Sequence, residues 1–178
     1  MSPVTTNPIY FGTFLVTPQV FHLTQYSVAL VNLKPLLPGH VLVSPRRVTP
    51  RFSDLTQIEV TDLFLTVQRV GRMVERVFNS TSLNIAMQDG AAAGQSVPHV
   101  HTHIIPRKQS DLEHKGGSDA IYGMLEGEDG DIGRHLHERA RERSKFPIGE
   151  DEERMPRTEQ EMSAEAEMLA REMAFSDV

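Results

Sequence analysis

One stretch constrains the fold of this chain more than any other. From Gln95 to Pro106 it reads Gln-Ser-Val-Pro-His-Val-His-Thr-His-Ile-Ile-Pro. Valine, threonine and isoleucine alternate with three histidines, and β-branched residues favour an extended backbone. In a strand, alternate side chains share a face, so His99, His101 and His103 are expected to project the same way, with Val100, Thr102 and Ile104 opposite. Each imidazole carries a donor and an acceptor that need partners when buried. A row of three is therefore expensive unless it performs chemistry, and the sequence places a chemical site on a rigid element.

Three chemistries compete for such a row. The first is metal binding, since histidine is the commonest metal ligand. The outer two Cα atoms of a strand triad lie roughly 13 Å apart. An imidazole reaches about 6 Å from its Cα to a metal, including a bond of about 2 Å. All three on one ion is thus strained, and no metal site is assigned, although a pair of histidines with a distant carboxylate stays open. The second is nucleophilic catalysis, in which one imidazole attacks while the others orient it, donate protons or bind an anion. The third, a solvated histidine run, fits poorly with Ile104-Ile105-Pro106 directly behind.

The rest of the chain supplies a scaffold. Thr56 and Glu59 form a capping box ahead of a long helix whose apolar stripe runs through Val60, Leu63, Phe64, Val67, Val70, Val74, Val77 and Phe78. Short apolar or aromatic runs read as strands: Tyr10 to Val16, Val20 to Leu23, Ser27 to Asn32, His40 to Pro45 and Leu83 to Gln88. Pro38-Gly39 suits a tight turn that makes the third and fourth of these antiparallel neighbours. The loop from Asp89 to Ser96 is small and glycine-bearing, so its backbone N–H groups can approach an anion closely, and it leads directly into the histidines. Beyond residue 108 the pattern fades into Gly, Glu, Asp and Arg, with one apolar patch at Ile121-Tyr122-Gly123-Met124-Leu125, and His114, His135 and His137 have no chemical partners at strand spacing. Thr158 and Glu161 then cap a second helix, with Met162, Ala166, Leu169 and Met173 on one stripe. The expectation is an α+β domain with an antiparallel sheet of about five strands, one long helix and one C-terminal helix.

Charge and composition narrow the partners. The chain has 178 residues, enough for one domain. With a net charge of −6 a nucleic-acid groove is not the default reading, and no partner nucleic acid is expected. It has no cysteine, which fits an intracellular compartment; the cytoplasm, with the nucleus also open, is the expected location. No apolar run of spanning length occurs, so no membrane partner is expected.

The spacing His-φ-His-φ-His-φ-φ resembles the histidine triad (HIT) family of nucleotidyl hydrolases and transferases. Pro38-Gly39-His40-Val41-Leu42-Val43, Met87-Gln88-Asp89-Gly90, Gly94-Gln95-Ser96-Val97 and Ile105-Pro106-Arg107-Lys108 resemble its fragile histidine triad branch, in a fungal-type member. The resemblance implies a HIT domain over 9–114; the polar composition beyond it and the second capping box add a flexible polar segment over 115–157 and a C-terminal helix over 158–174. The resemblance further implies a homodimer that hydrolyses dinucleoside polyphosphates, diadenosine triphosphate or tetraphosphate, through a nucleotidyl-histidine. No tightly bound cofactor is implied; a magnesium or manganese ion would arrive with the substrate. His101 matches the family's nucleophile and His103 the group at the scissile phosphate, with His99 and His40 in support. Gly94, Gln95, Ser96 and Val97 match the phosphate-holding loop, and Asn32 and Gln88 match positions that touch nucleoside and phosphate. Arg107 is expected at most to steer anions. The family's N-terminal histidine has no counterpart in Phe11-Gly12-Thr13-Phe14. A nucleoside phosphoramidase and a nucleotide-sensing binding protein remain as alternatives; the transferase branch carries glutamine where this chain has His103.

Overall fold

A computed structural model describes residues 4–127, 131–142 and 157–175. A small hairpin, β1 (Tyr10–Phe11) and β2 (Phe14–Leu15), opens the chain. Five further strands build the main sheet: β3 (Val20–Leu23), β4 (Ser27–Val31), β5 (Val41–Pro45), β6 (Ser82–Met87) and β7 (Thr102–Arg107). Their order is β3-β4-β5-β7-β6, and every pairing is antiparallel. The hairpin expected of β4 and β5 is present, with Val31 opposite Val41. The strand of the histidine run, β7, sits between β5 and β6, where both edges are paired and its six residues are all buried.

Helix α1 (Gln57–Phe78) packs across β4, β5 and β7. Its start is fixed as the sequence indicates: Thr56 Oγ1 accepts from the Glu59 N–H, and the Glu59 carboxylate accepts from the Thr56 N–H. Glu59 also carries a bidentate pair with Arg47, at 2.8 Å on each arm, which holds its carboxyl down at about 2. The buried stripe is Leu63, Val67, Val70, Met73 and Val74. Phe64, expected in that stripe, instead stands 46% exposed and packs edge-on against Phe52. The C-terminal helix α4 (Glu159–Ala174) has its own capping box at Thr158 and Glu161, and buries Met162, Ala166, Leu169 and Met173, the stripe read from sequence.

The segment 115–157 departs from expectation. It contains helices α2 (Ala120–Glu126) and α3 (Ile132–Glu142). The apolar patch noted in the sequence is the reason for α2: Ile121, Met124 and Leu125 form a second core with Leu36, Ile105 and Leu112. Ile132 and Leu136 of α3 join the main core. Two or three apolar residues at helical spacing are enough to seat a short helix on an existing surface, although they do not stand out in so polar a stretch. Residues 128–130 and 143–156 of that segment lie outside the described residues.

Candidate active site

The three histidines do not all lie on a strand. Only His103 belongs to β7, where it pairs with Leu42 of β5 and Ala86 of β6. His99 and His101 lie on the segment leading into it. That segment is nonetheless fixed: the Val100 N–H donates to the Thr49 carbonyl at 2.8 Å and Ser44 Oγ–H to the Val100 carbonyl at 2.6 Å. The three rings are almost wholly buried, at 0–1% exposure, and adjacent, with His101 and His103 centroids 5.0 Å apart.

Their hydrogen bonds settle where each proton sits. The Gly12 N–H donates to His99 Nδ1 at 3.0 Å, so His99 carries its proton on Nε2 and gives it to the Pro45 carbonyl at 2.8 Å. His101 Nδ1–H donates to the His99 carbonyl at 2.7 Å, which leaves the lone pair on Nε2. The Leu36 N–H donates to His40 Nδ1 at 3.1 Å; His40 Nε2–H must then donate to His103 Nδ1, 3.0 Å away. His103 is thereby obliged to carry its proton on Nε2, an atom that is buried without a hydrogen-bond partner among the described residues. The relay runs from a backbone N–H through two imidazoles to a donor beside the lone pair of His101.

Burial keeps the triad uncharged. Desolvation is the largest influence on each ring: it lowers His99 to about 4 in spite of its bond to Pro45, lowers His101, and lowers His103 well below the ordinary 6.5. The like charges that His101 and His40 would carry push His103 further down. At neutral pH the site thus holds neutral imidazoles in defined tautomers. Because both nitrogens of His99 are engaged, it has no lone pair to offer a metal.

The loop ahead of the triad is more self-contained than the sequence suggests. The Gly94 N–H donates to the Ala91 carbonyl and the Gln95 N–H to the Gly90 carbonyl, so two of the four amides expected to face phosphate are used inside the loop. The Gln95 side chain is engaged at both ends: its Oε1 accepts from the Gly90 N–H at 2.6 Å, and its Nε2–H groups donate to the Pro50 and Val97 carbonyls. Ser96 Oγ accepts from the Gly133 N–H at 3.0 Å, which seats α3 on the loop and leaves the hydroxyl proton to be given elsewhere. Gly94 adopts φ of 87°, a left-handed turn that also brings Gln88 alongside. Gln88 is half-buried and its amide lies 3.4 Å from the Leu125 carbonyl. Asn32 is 2% exposed, with its amide nitrogen 3.4–3.5 Å from the His40 ring.

Two residues change their reading. Arg107 is not an anion-steering residue. It is 6% exposed and makes a bidentate pair with Asp111, with further bonds to Asn84 and to Ser118. Phe11 gains a role: its ring stacks on His99 at 5.4 Å and meets His101 edge-on at 5.0 Å, walling off the two rings. The neighbouring Gly12 supplies the N–H that sets the His99 tautomer, and its φ of 60° with Val97 packed beside it leaves no room for a side chain. The sequence signal was an aromatic-glycine pair near the first strand, weak without the fold.

Residues 13–110 match the model of the HIT domain. The chain belongs to the HIT family. It is 46% identical to the bis(5'-nucleosyl)-tetraphosphatase [asymmetrical] of Schizosaccharomyces pombe over 170 residues, covering 90% of this chain and 92% of that protein. It is 52% identical to the bis(5'-adenosyl)-triphosphatase of Dictyostelium discoideum over 120 residues, covering 67% of this chain and 78% of that one. Among solved structures it resembles the Caenorhabditis elegans NitFhit protein, with a TM-score of 0.66 and 33% identity over 94% of this chain and 31% of that one. The five-stranded HIT fold and the fragile histidine triad branch are thus as the sequence indicated.

Proposed function

We infer that the chain is a hydrolase of dinucleoside polyphosphates, and that His101 carries the nucleotidyl group between its two half-reactions. The relatives' names support the substrate class. The observation that carries the chemistry is the tautomer relay. His101 Nε2 has a lone pair and the ring is neutral, so it can attack the α-phosphorus. The N–P bond forms as the bond from phosphorus to the bridging oxygen breaks. His103 Nε2–H, fixed by His40, gives a hydrogen bond or its proton to the departing phosphate oxygen. The Ser96 hydroxyl is assigned to a non-bridging oxygen. Water then attacks the phosphorus, the N–P bond breaks, and a nucleoside monophosphate leaves. Asn32 and Gln88 are assigned to the nucleoside and phosphate at either side of the relay.

The triad is neutral and Arg107 is committed to Asp111, so the charge of the polyphosphate is assigned to a magnesium or manganese ion that enters with it. A homodimer is proposed on β6, an edge strand with Ile85 51% exposed, and on α1, where Phe64 and Leu65 are 46% and 62% exposed. No helix among the described residues is long and apolar enough to cross a membrane. An intracellular setting is proposed on the absence of cysteine. Product analysis with diadenosine triphosphate, diadenosine tetraphosphate and an adenosine phosphoramidate, side by side, tests the substrate class. Cleavage of either dinucleotide to a monophosphate and the complementary nucleotide is expected. Cleavage of the phosphoramidate alone would overturn the reading.

A further inference from the structure

The relay that sets the tautomer of His103 begins at the Leu36 N–H, in the turn that leaves β4. That turn has an internal brace, the Lys34 N–H donating to Asn32 Oδ1 at 3.2 Å. Leu33 and Leu36 are packed into the main and second cores, and an arginine remote in sequence grips the backbone at the start of the turn. Arg157 donates from Nε to the Asn32 carbonyl at 3.1 Å and from Nη2 to the same carbonyl at 2.5 Å, and its backbone N–H donates to the Leu33 carbonyl at 3.0 Å. The guanidinium is itself oriented by Glu165, in the second turn of α4. Two consecutive carbonyls at the exit of β4 are thus gripped by the residue that precedes the Thr158 cap.

We propose that Arg157 is a positioning residue for the histidine relay, acting through the turn 32–36 on His40 and so on the donor atom of His103. The consequence is specific. If the turn shifts, the Leu36 N–H no longer holds His40 Nδ1 as an acceptor, and both His40 and His103 can change tautomer. His103 would then turn a lone pair instead of an N–H toward the leaving oxygen. Asn32 moves with its carbonyl, so its amide beside His40 is displaced as well.

A purely structural role is the alternative, because Arg157 also docks α4. A second arginine separates the two. Arg76, on α1, grips the far end of the same helix through the carboxylate and carbonyl of Glu172. It anchors α4 as Arg157 does, at the end away from the turn. The test compares the full-length chain with Arg157→Ala, Arg157→Lys and Arg76→Ala, measuring thermal stability, kcat and KM on diadenosine triphosphate, and the ring-nitrogen NMR signals of histidine-labelled protein. The positioning role predicts that Arg157→Ala lowers kcat roughly 10- to 100-fold and moves the His40 and His103 signals. Arg157→Lys, which keeps one donor, recovers part of both, and Arg76→Ala loses stability with kcat and histidine signals unchanged. If Arg157→Ala does not fold, Arg157→Lys is read against Arg76→Ala in the same way. Loss of stability with unaltered kcat and histidine signals in the Arg157 variants overturns the proposal. The inference rests on the hydrolase reading only for its kinetic arm: a wild-type chain inactive on dinucleotides refutes that reading, while the histidine spectra still decide the role of Arg157.

Discussion

Acidification should unfold this protein through its histidines before its carboxylates matter. His99 sits at about 4 in the folded state against an ordinary 6.5. Between those values the unfolded chain binds a proton that the folded chain refuses, so stability rises with pH across the window and is lost as pH falls through it. The gap of roughly 2.5 pH units is worth about 3 kcal/mol by pH 4, at about 1.4 kcal/mol per unit. His101 and His103 are displaced in the same direction by the same burial and add to it. The total is a large fraction of the roughly 5–15 kcal/mol that holds a domain of this kind together. Glu59 acts in the same direction but in a lower window of pH. Held at about 2 by Arg47, it stabilises above 4.5 and loses that contribution only as pH falls from 4.5 through about 2. The interval from pH 6.5 to 4.5 therefore isolates the histidines. Urea unfolding at fixed protein concentration, stepped from pH 7.5 to 4.5, measures the slope. His99→Gln keeps an acceptor for the Gly12 N–H and a donor for the Pro45 carbonyl but cannot titrate. It should reduce the slope near pH 5 by about 1 kcal/mol per pH unit. A flat wild-type profile from pH 7 to 5, or a His99→Gln slope equal to wild type, would refute the reasoning.

Four further outcomes follow from the site. Ser96→Ala should lower kcat by roughly 10- to 1,000-fold with a smaller change in KM, as for the loss of a transition-state donor. Gln95→Ala should instead cost about 1–3 kcal/mol in unfolding experiments, because its amide braces the loop; a Gln95→Ala protein of unchanged stability would contradict the brace. Arg107→Ala should destabilise by about 3 kcal/mol, since it strands Asp111 and Asn84, and should leave the salt dependence of kcat/KM unaltered; a change in that salt dependence with stability intact would restore the steering role. The purified protein should carry no stoichiometric zinc and keep its melting temperature under strong chelation, and one zinc per chain lost together with the fold would overturn the assignment of the triad to nucleophilic chemistry.

The fold was legible where a pattern repeats over many residues. Both capping boxes, the α4 stripe, the β4–β5 hairpin and the burial of β7 all follow from local periodicity and cap chemistry. Less followed where a few residues act at a distance. Helices α2 and α3 rest on two or three apolar side chains each, too few to outweigh their polar neighbours in a window of sequence. The face shared by the histidines was inferred from strand alternation, yet His99 and His101 are held by Thr49, Ser44, Gly12 and Pro45, contacts between segments that no spacing rule connects. Arg107 was misread because a basic residue beside a phosphate-binding strand suggests steering; Asp111, one helical turn away in sequence, was the signal that it is paired. Residue types at the site were readable; their tautomers were not, because they depend on the backbone N–H groups of Gly12 and Leu36.

The measurement closest to the central claim is mass spectrometry of the protein quenched in acid-free denaturant during turnover of diadenosine triphosphate, with His101→Asn alongside. The account predicts a nucleotidyl adduct on His101 in the wild-type chain, and neither adduct nor turnover in His101→Asn, while that variant still binds the substrate within about tenfold of wild type. Normal turnover by His101→Asn, or an adduct mapped to His99 or His103 in its place, would contradict it.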